Sequence, residues 1–303
     1  MINEYVLLPC VFDTTCFKSP EICNVYLENI KEILLIEQAM VRDLCNGEWS
    51  KFVKNLSSKH PNTKYILQKL KLFAALTSLK EPPNSYNQWA NEALRSHQPE
   101  PLNGIIASKS TKKNFKGEKI IASIEQLDKA DWWKNRVSSV AVQRTTKDYL
   151  KHLKLILERA NSIMFIDPYL SPYKYDGYEE FYKILQAINR TEVLIECHLA
   201  LNREKRKPKT EKKEKKDYED YFRKKLTNVI KQAQLEVNFF IWDEFHDRYI
   251  ISNLVGIMSG NSFSIGEQET TWMRLDRTRK GQIQAEFDGN SRKHGTPFIF
   301  TIS

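Results

Sequence analysis

A chain of 303 residues with 41% hydrophobic and 11% aromatic content is long enough for one large or two ordinary globular domains. No apolar run approaches the ~20 residues that span a bilayer, and the start lacks a basic region followed by an apolar segment. A membrane partner and a signal peptide are therefore not expected, and a cytoplasmic location is. The formal net charge of +9 favours an anionic partner, but residues 203–216 hold nine basic and three acidic residues and so carry +6 of it.

In chain order, residues 5–12 predict an opening strand, with Pro9 arguing for an edge or a bulge. A helix is predicted over 22–45, with Leu27, Ile30, Leu34 and Leu44 apolar and Gly47 as a stop. A second covers 64–80, carrying Ile66, Leu70, Phe73 and Leu76, and a third covers 85–96. Pro99 and Pro101 break the chain, short strands follow near 104–108 and 138–142, and 109–117 reads as a Lys-rich turn. Residues 1–140 thus read as an N-terminal α/β domain of their own, and 141–303 as a second domain. Asp13 stands where PIN-type nucleases carry a first carboxylate, but no convincing companions exist, and a turn-capping role is the better reading. Cys10, Cys16, Cys23, Cys45 and Cys197 contain no Cys-x-x-Cys pair, which argues for buried thiols rather than a disulfide framework or a zinc site.

From Thr145 the pattern sharpens. Thr145-Thr-Lys-Asp148 starts a helix with Tyr149, Leu153, Ile156 and Ala160 on one face. A buried strand over 162–170 ends in Asp167-Pro168, a helix covers 178–189, and a strand covers 192–199. The basic run 203–216 reads as a disordered insertion, followed by a helix at 217–233 and a strand at 236–242. This alternation predicts a mainly parallel sheet covered on both faces.

The chemistry concentrates in 245–263. His246 and Arg248 are two apart, ahead of the apolar run Tyr249-Ile-Ile251, so an extended chain would aim both at one face. Asn253 follows, and Gly260-Asn261-Ser262 turns the chain back. An imidazole, a fixed cation and a small polar loop suit a phosphate group: the histidine can attack phosphorus, and the guanidinium and loop can hold its oxygens. The plainer alternative is a buried strand whose His246 and Arg248 pair with Asp243 or Glu244.

This spacing resembles the phospholipase D superfamily, whose motif is His-x-Lys, four residues, Asp, six residues, then Gly-Ser with an Asn two further on. Here Arg248 stands at the lysine, Asn253 at the aspartate, Gly260 at the glycine, Asn261 at the serine and Phe263 at the later asparagine. The resemblance covers about residues 145–285 and extends to the strand ending Asp-Pro-Tyr-Leu. It implies a phospholipase D-like sheet flanked by helices, with no metal and no cofactor. His246 would form a phosphohistidine, Arg248 would neutralise the non-bridging oxygens, and Glu269 (Glu267 second) would orient the imidazole. Asn253, Asn261 and Ser262 would bind phosphate. One motif per chain implies a homodimer, with a second histidine from the partner.

Several residues compete with this reading. His152-Leu-Lys154 is a second His-x-Lys, but it lies on a predicted helix and lacks the glycine loop. His198 reads as a core histidine, and His60, His97 and His294 as surface. Asp167 either lines a cleft at a strand end or caps a turn. Arg203, Lys205, Arg206, Lys207 and Lys209 form an arm for a nucleic-acid backbone, or merely a solvated insertion. Trp132-Trp133 either stacks on bases or anchors a domain boundary.

The leading expectation is a metal-independent nuclease acting on DNA or RNA, in prokaryotic restriction or phage defence with a partner protein. The alternative is a degenerate module that binds nucleic-acid or lipid phosphate without cleavage inside a larger complex. Members carrying His-x-Arg that only bind phosphorylated ligands keep that alternative open.

Overall fold

The computed structural model describes residues 2–13, 28, 30, 38–57, 72–74, 81–170, 175–201 and 215–303. The fold is mixed α/β, with two sheets flanked by helices. The chain divides into two compact units, residues 2–137 and 138–303. Among the described residues no helix is long and apolar enough to cross a membrane.

The first unit is a five-stranded, wholly parallel sheet. Its strands are β1 (Glu4–Leu7), β2 (Met40–Asp43), β3 (Leu72–Ala74), β4 (Gly104–Ala107) and β5 (Ile121–Ser123), in the order β3-β2-β1-β4-β5. Every residue of β1, β2 and β4 is buried, as a parallel sheet covered on both faces requires. Helix α1 (Glu48–Ser57) buries Trp49, whose indole N–H donates to the Leu7 carbonyl at 2.6 Å. Helix α2 (Tyr86–His97) is capped by Ser85 and buries Trp89 and Ala93. Short helices α3 (Lys109–Lys113) and α4 (Asp131–Lys134) complete the unit. Gly104 is required where it stands: a Cβ there would lie 2.4 Å from the Trp132 ring.

Several expectations fail here for physical reasons. Residues 40–43 and 72–74, assigned to helices over 22–45 and 64–80, are strands; residues 28 and 30 are helical, and 21–27, 29, 31–37, 64–71 and 75–80 lie outside the described residues. Strands of three or four residues are too short for periodicity to separate from a helix, and pairing beside β1 decides them. The strand expected over 5–12 ends at Leu7, in the sheet's centre rather than at its edge, because Pro9 opens a 3-10 turn over Pro9–Phe12. Asp13 accepts from the Tyr86 hydroxyl at 2.6 Å. The Lys-rich turn contains α3.

The second unit holds an eight-stranded sheet ordered β13-β9-β8-β7-β10-β11-β12-β6. The strands are β6 (Ser139–Val142), β7 (Ser162–Ile166), β8 (Leu194–Ala200), β9 (Val237–Trp242), β10 (Tyr249–Ser252), β11 (Gly256–Ser259), β12 (Thr270–Arg274) and β13 (Phe298–Ile302). Only β7, β8 and β9 run parallel; every other pairing is antiparallel, so the mainly parallel sheet expected is a mixed one. Part of the reason is hairpin chemistry: β10 and β11 follow one another through a short turn, which can only join antiparallel neighbours, and β12 returns beside β11 after the loop 260–269. Strand β6, expected to end the first domain, pairs with β12.

Helices α5 (Thr146–Arg159), α6 (Tyr175–Gln186) and α7 (Lys215–Gln232) alternate with the parallel strands. They bury one face, where Phe165 meets Phe181 and Phe222 meets Phe239. Met164, Ile166, Phe240, Trp242, Tyr249 and Ile251 line the opposite face with Ile283 of α8 (Arg277–Glu286). Helix α7 begins two residues inside the segment expected to be disordered. Lys215 is held there, donating to Asp243 Oδ1 at 2.7 Å and to the Thr296 carbonyl at 3.1 Å.

Candidate functional site

Strands β7 and β10 are antiparallel with Tyr249 opposite Ile166, so the residue after β7 and the residue before β10 meet at one end of the sheet. They are Asp167 and Arg248. The spacing from Arg248 to Gly260 is the length of a hairpin. β10 runs out, Ser252 closes the turn through bonds to Val255, and β11 returns until Ser259 N–H donates to the Arg248 carbonyl at 2.9 Å. The loop after Ser259 then folds over Asp167.

Asp167 is fully buried. Its Oδ2 accepts from the Ser262 hydroxyl at 2.6 Å and from Phe263 N–H at 2.9 Å, and its Oδ1 accepts from Tyr169 N–H at 2.9 Å. Burial pushes the Asp167 carboxyl above its ordinary range, and these donors together with Arg248 offset part of that. Every hydrogen-bonding partner of the carboxyl is a donor, which the ionised form satisfies. Asp167 thus both caps the turn into Pro168 and lines the site.

The Arg248 side chain is 22% exposed, and its Nε lies 4.0 Å from Asp167 Oδ1. That is an ion-pair distance but too long for a hydrogen bond, and Arg248 Nε is buried with no hydrogen-bond partner among the described residues. The guanidinium carbon sits 4.9 Å over the ring of Tyr169. His246 lies in the loop ahead of β10, with its side chain 69% exposed and Nε2 3.9 Å from Glu244 Oε1. Between them, Asp247 accepts from the Tyr249 hydroxyl at 3.1 Å.

Four expectations change. His246 and Arg248 do not share a strand face, because β10 begins at Tyr249 and its neighbour β7 turns away at Asp167-Pro168. Asn253 is not brought beside Arg248. It lies at the other end of β10, where its Oδ1 accepts from Asn161 N–H at 2.9 Å and Ser162 N–H at 3.4 Å. Glu269 is engaged elsewhere, its carboxylate accepting from the Gln143 side chain, and Glu244 is a carboxylate near the imidazole. Asn261 contributes backbone bonds, its N–H to Thr270 Oγ1 at 3.1 Å and its carbonyl accepting from Ser259 Oγ at 2.6 Å. Ser262 donates its proton to Asp167 but keeps acceptor capacity. Arg203, Lys205, Arg206, Lys207 and Lys209 lie outside the described residues.

The remaining histidines separate cleanly. His152 is on α5, edge-on to Trp272, and burial lowers its pKa. His198 is fully buried and stacks on Phe240. Its Nδ1 accepts from the Trp242 indole at 3.0 Å, so the ring proton sits on Nε2, which faces Glu196 at 3.4 Å. His294, expected at the surface, is 13% exposed and bridges the Glu286 carboxylate at 2.8 Å and the Glu244 carbonyl at 3.1 Å. It thereby ties the loop that carries His246 to the end of α8. Trp133 is a core residue under Arg136, and Trp132 is half-buried against that core, packing on Tyr5. Tyr169 escaped the sequence reading, although the Asp-Pro-Tyr-Leu strand end contained it.

No protein-family model matches the chain, and no curated protein matches it. Among solved structures, TrmBL2, an archaeal chromatin protein described as having a novel mode of DNA binding, aligns at 11% identity over 68% of each chain, with a TM-score of 0.29. A likeness at that score carries no argument about fold or function.

Proposed function

We propose that the second unit recognises phosphodiesters of nucleic acid in the manner of a phospholipase D-like domain and cleaves them without metal. The observation that carries this reading is Arg248: a guanidinium whose buried Nε has no hydrogen-bond partner among the described residues, two residues from the exposed imidazole of His246. A phosphate oxyanion would complete the guanidinium and lie near the ring. His246 would attack phosphorus, forming a P–N bond as the ester oxygen leaves. The Arg248 fork would hold the charge that builds on the non-bridging oxygens. Water would then hydrolyse the phosphohistidine. The leaving oxygen needs a proton, which a second copy's imidazole across a two-fold axis would supply, and a homodimer is part of the reading. The basic segment 203–216 would draw the anionic backbone toward the site.

A second reading, phosphate binding without cleavage, is favoured by two positions: Asn253 stands at the far end of β10 and Glu269 is held by Gln143. The test is incubation with DNA and RNA in EDTA. Cleavage that is lost in His246→Ala while affinity is retained supports the enzyme, and mixed dimers with one His246→Ala chain should be nearly inactive. No cleavage, with binding lost in Arg248→Ala, supports the binding module. Absence of both cleavage and binding overturns the reading.

A further inference from the structure

We infer that Tyr169 is a base-stacking platform and that the site takes single-stranded nucleic acid; this rests on the nucleic-acid reading above. Tyr169 lies between two buried residues, Pro168 and Leu170, yet is itself 42% exposed. It is the one aromatic among the exposed large hydrophobic side chains of the described residues. The tryptophans that the sequence offered as stacking candidates are packed in or against the first unit's core.

The backbone that carries the ring is also fixed in place. Tyr169 N–H is bound by the buried Asp167 carboxylate, and Leu170 N–H donates to the Asp167 carbonyl at 3.1 Å. A platform held this way loses little conformational freedom when a base docks on it. Arg248 lies 4.9 Å from the ring centroid, so the phosphate-holding group and the aromatic surface are neighbours. A nucleotide whose phosphate met Arg248 would have its base within reach of Tyr169.

That adjacency selects the strand state. Bases in a duplex have both faces stacked on neighbours, and reaching one requires flipping it out at a cost of a few kcal/mol. A single strand presents its base faces freely, and any base suffices, because every base has a π-face. The competing role is purely structural, a ring packed beside a cation. In that case Tyr169 would support Arg248 whatever the ligand.

The test compares binding of a fluorescent single-stranded oligonucleotide, the same length of abasic backbone, and a duplex, to the full chain and to Tyr169→Phe, Tyr169→Leu and Tyr169→Ala. The expected result is that wild type prefers the single strand to the duplex. It should prefer the base-bearing strand to the abasic one by roughly ten- to a hundredfold, the size of one stacked base. Tyr169→Phe should retain that preference, and Tyr169→Leu and Tyr169→Ala should lose it while binding the abasic backbone as wild type does. Equal wild-type affinity for base-bearing and abasic strands overturns the inference, as does a Tyr169→Leu loss that is the same for both. Either result leaves the phosphodiester reading standing, whereas failure to bind any nucleic acid removes that reading first.

Discussion

The Ser262 hydroxyl donates to Asp167 Oδ2 at 2.6 Å, joining the return loop of one hairpin to the end of a strand 95 residues earlier. With Phe263 N–H on the same oxygen, the carboxylate is the post around which the loop is wound. Asp167→Asn puts an amide where two donors converge, leaving at least one buried donor unpaired at a cost of about 1–3 kcal/mol. Hydrogen exchange should report faster opening across 259–264. Ser262→Ala removes one donor and leaves the Phe263 bond, so its cost should be smaller. The double variant should cost less than the two singles together, because the groups share one interaction.

Arg248 separates charge from shape. Arg248→Lys preserves one positive charge, and lysine is the residue that the phospholipase D motif carries here. The substitution loses the planar fork and its stacking on Tyr169. On the proposed function, Arg248→Lys should retain part of the activity, whereas Arg248→Ala should impair both binding and cleavage. Affinity for a single-stranded oligonucleotide, measured at two salt concentrations, checks this. Both variants should weaken binding, and the alanine variant should also show the flatter salt dependence.

What was legible in the sequence was local. Tyr249-Ile-Ile reads as extended and Gly260-Asn261-Ser262 as a turn, which are β10 and the loop after β11, but the strand Gly256–Ser259 that returns beside Arg248 escapes the sequence reading. The same spacing misplaced Asn253. Five residues of extended chain span roughly 16 Å, so Asn253 had to end at the other side of the sheet. Asp167 was visible as a strand-end carboxylate, but its partners Arg248, Ser262 and Phe263 are set by β7 pairing with β10, which no periodicity encodes. His294 was misread because its flanking turn residues suggest exposure, while its ring packs on Phe287 and beneath Trp242.

The stability that His198 contributes to the second unit should fall in mild acid. Burial lowers its pKa below the ordinary value, against the smaller opposing influence of Glu196, so the folded state holds it neutral. The unfolded chain binds the proton more readily. Stability contributed by the neutral ring is therefore full above the unfolded value of about 6.5 and declines as pH falls through it. Glu286 adds a second loss at lower pH. Burial would raise its pKa, but Lys293 and His294 outweigh that and hold it below the ordinary carboxylate value, so its contribution disappears as it is protonated. Hydrogen exchange of β8 and β9 amides at pH 8, 7, 6 and 5 should show progressively lower protection below pH 7. Constant protection down to pH 5 would contradict the buried neutral His198.

The first unit carries a separate liability in Arg42. Its Nε and Nη2 meet Glu4 Oε1 and Oε2 at 2.8 and 2.7 Å, and its Nη1 donates to the Ser96 and Glu100 carbonyls at 2.7 and 3.0 Å. Both side chains are nearly inaccessible, at 2% and 11% exposure, so each charge depends on the other. Arg42→Ala leaves the Glu4 carboxylate buried without its counterion and strips donors from two carbonyls; a loss of about 3–5 kcal/mol is expected. Arg42→Lys keeps a charge but cannot reproduce the bidentate geometry, and it should fall between wild type and alanine. Arg42→Met with Glu4→Leu removes both charges together and should recover most of the stability lost in Arg42→Ala, because an apolar pair needs no counterion. Denaturant unfolding of the three variants, followed by exchange of β1 and β2 amides, measures this order. If the double variant proved less stable than Arg42→Ala, the pair would be favourable in its own right, rather than costly only when broken.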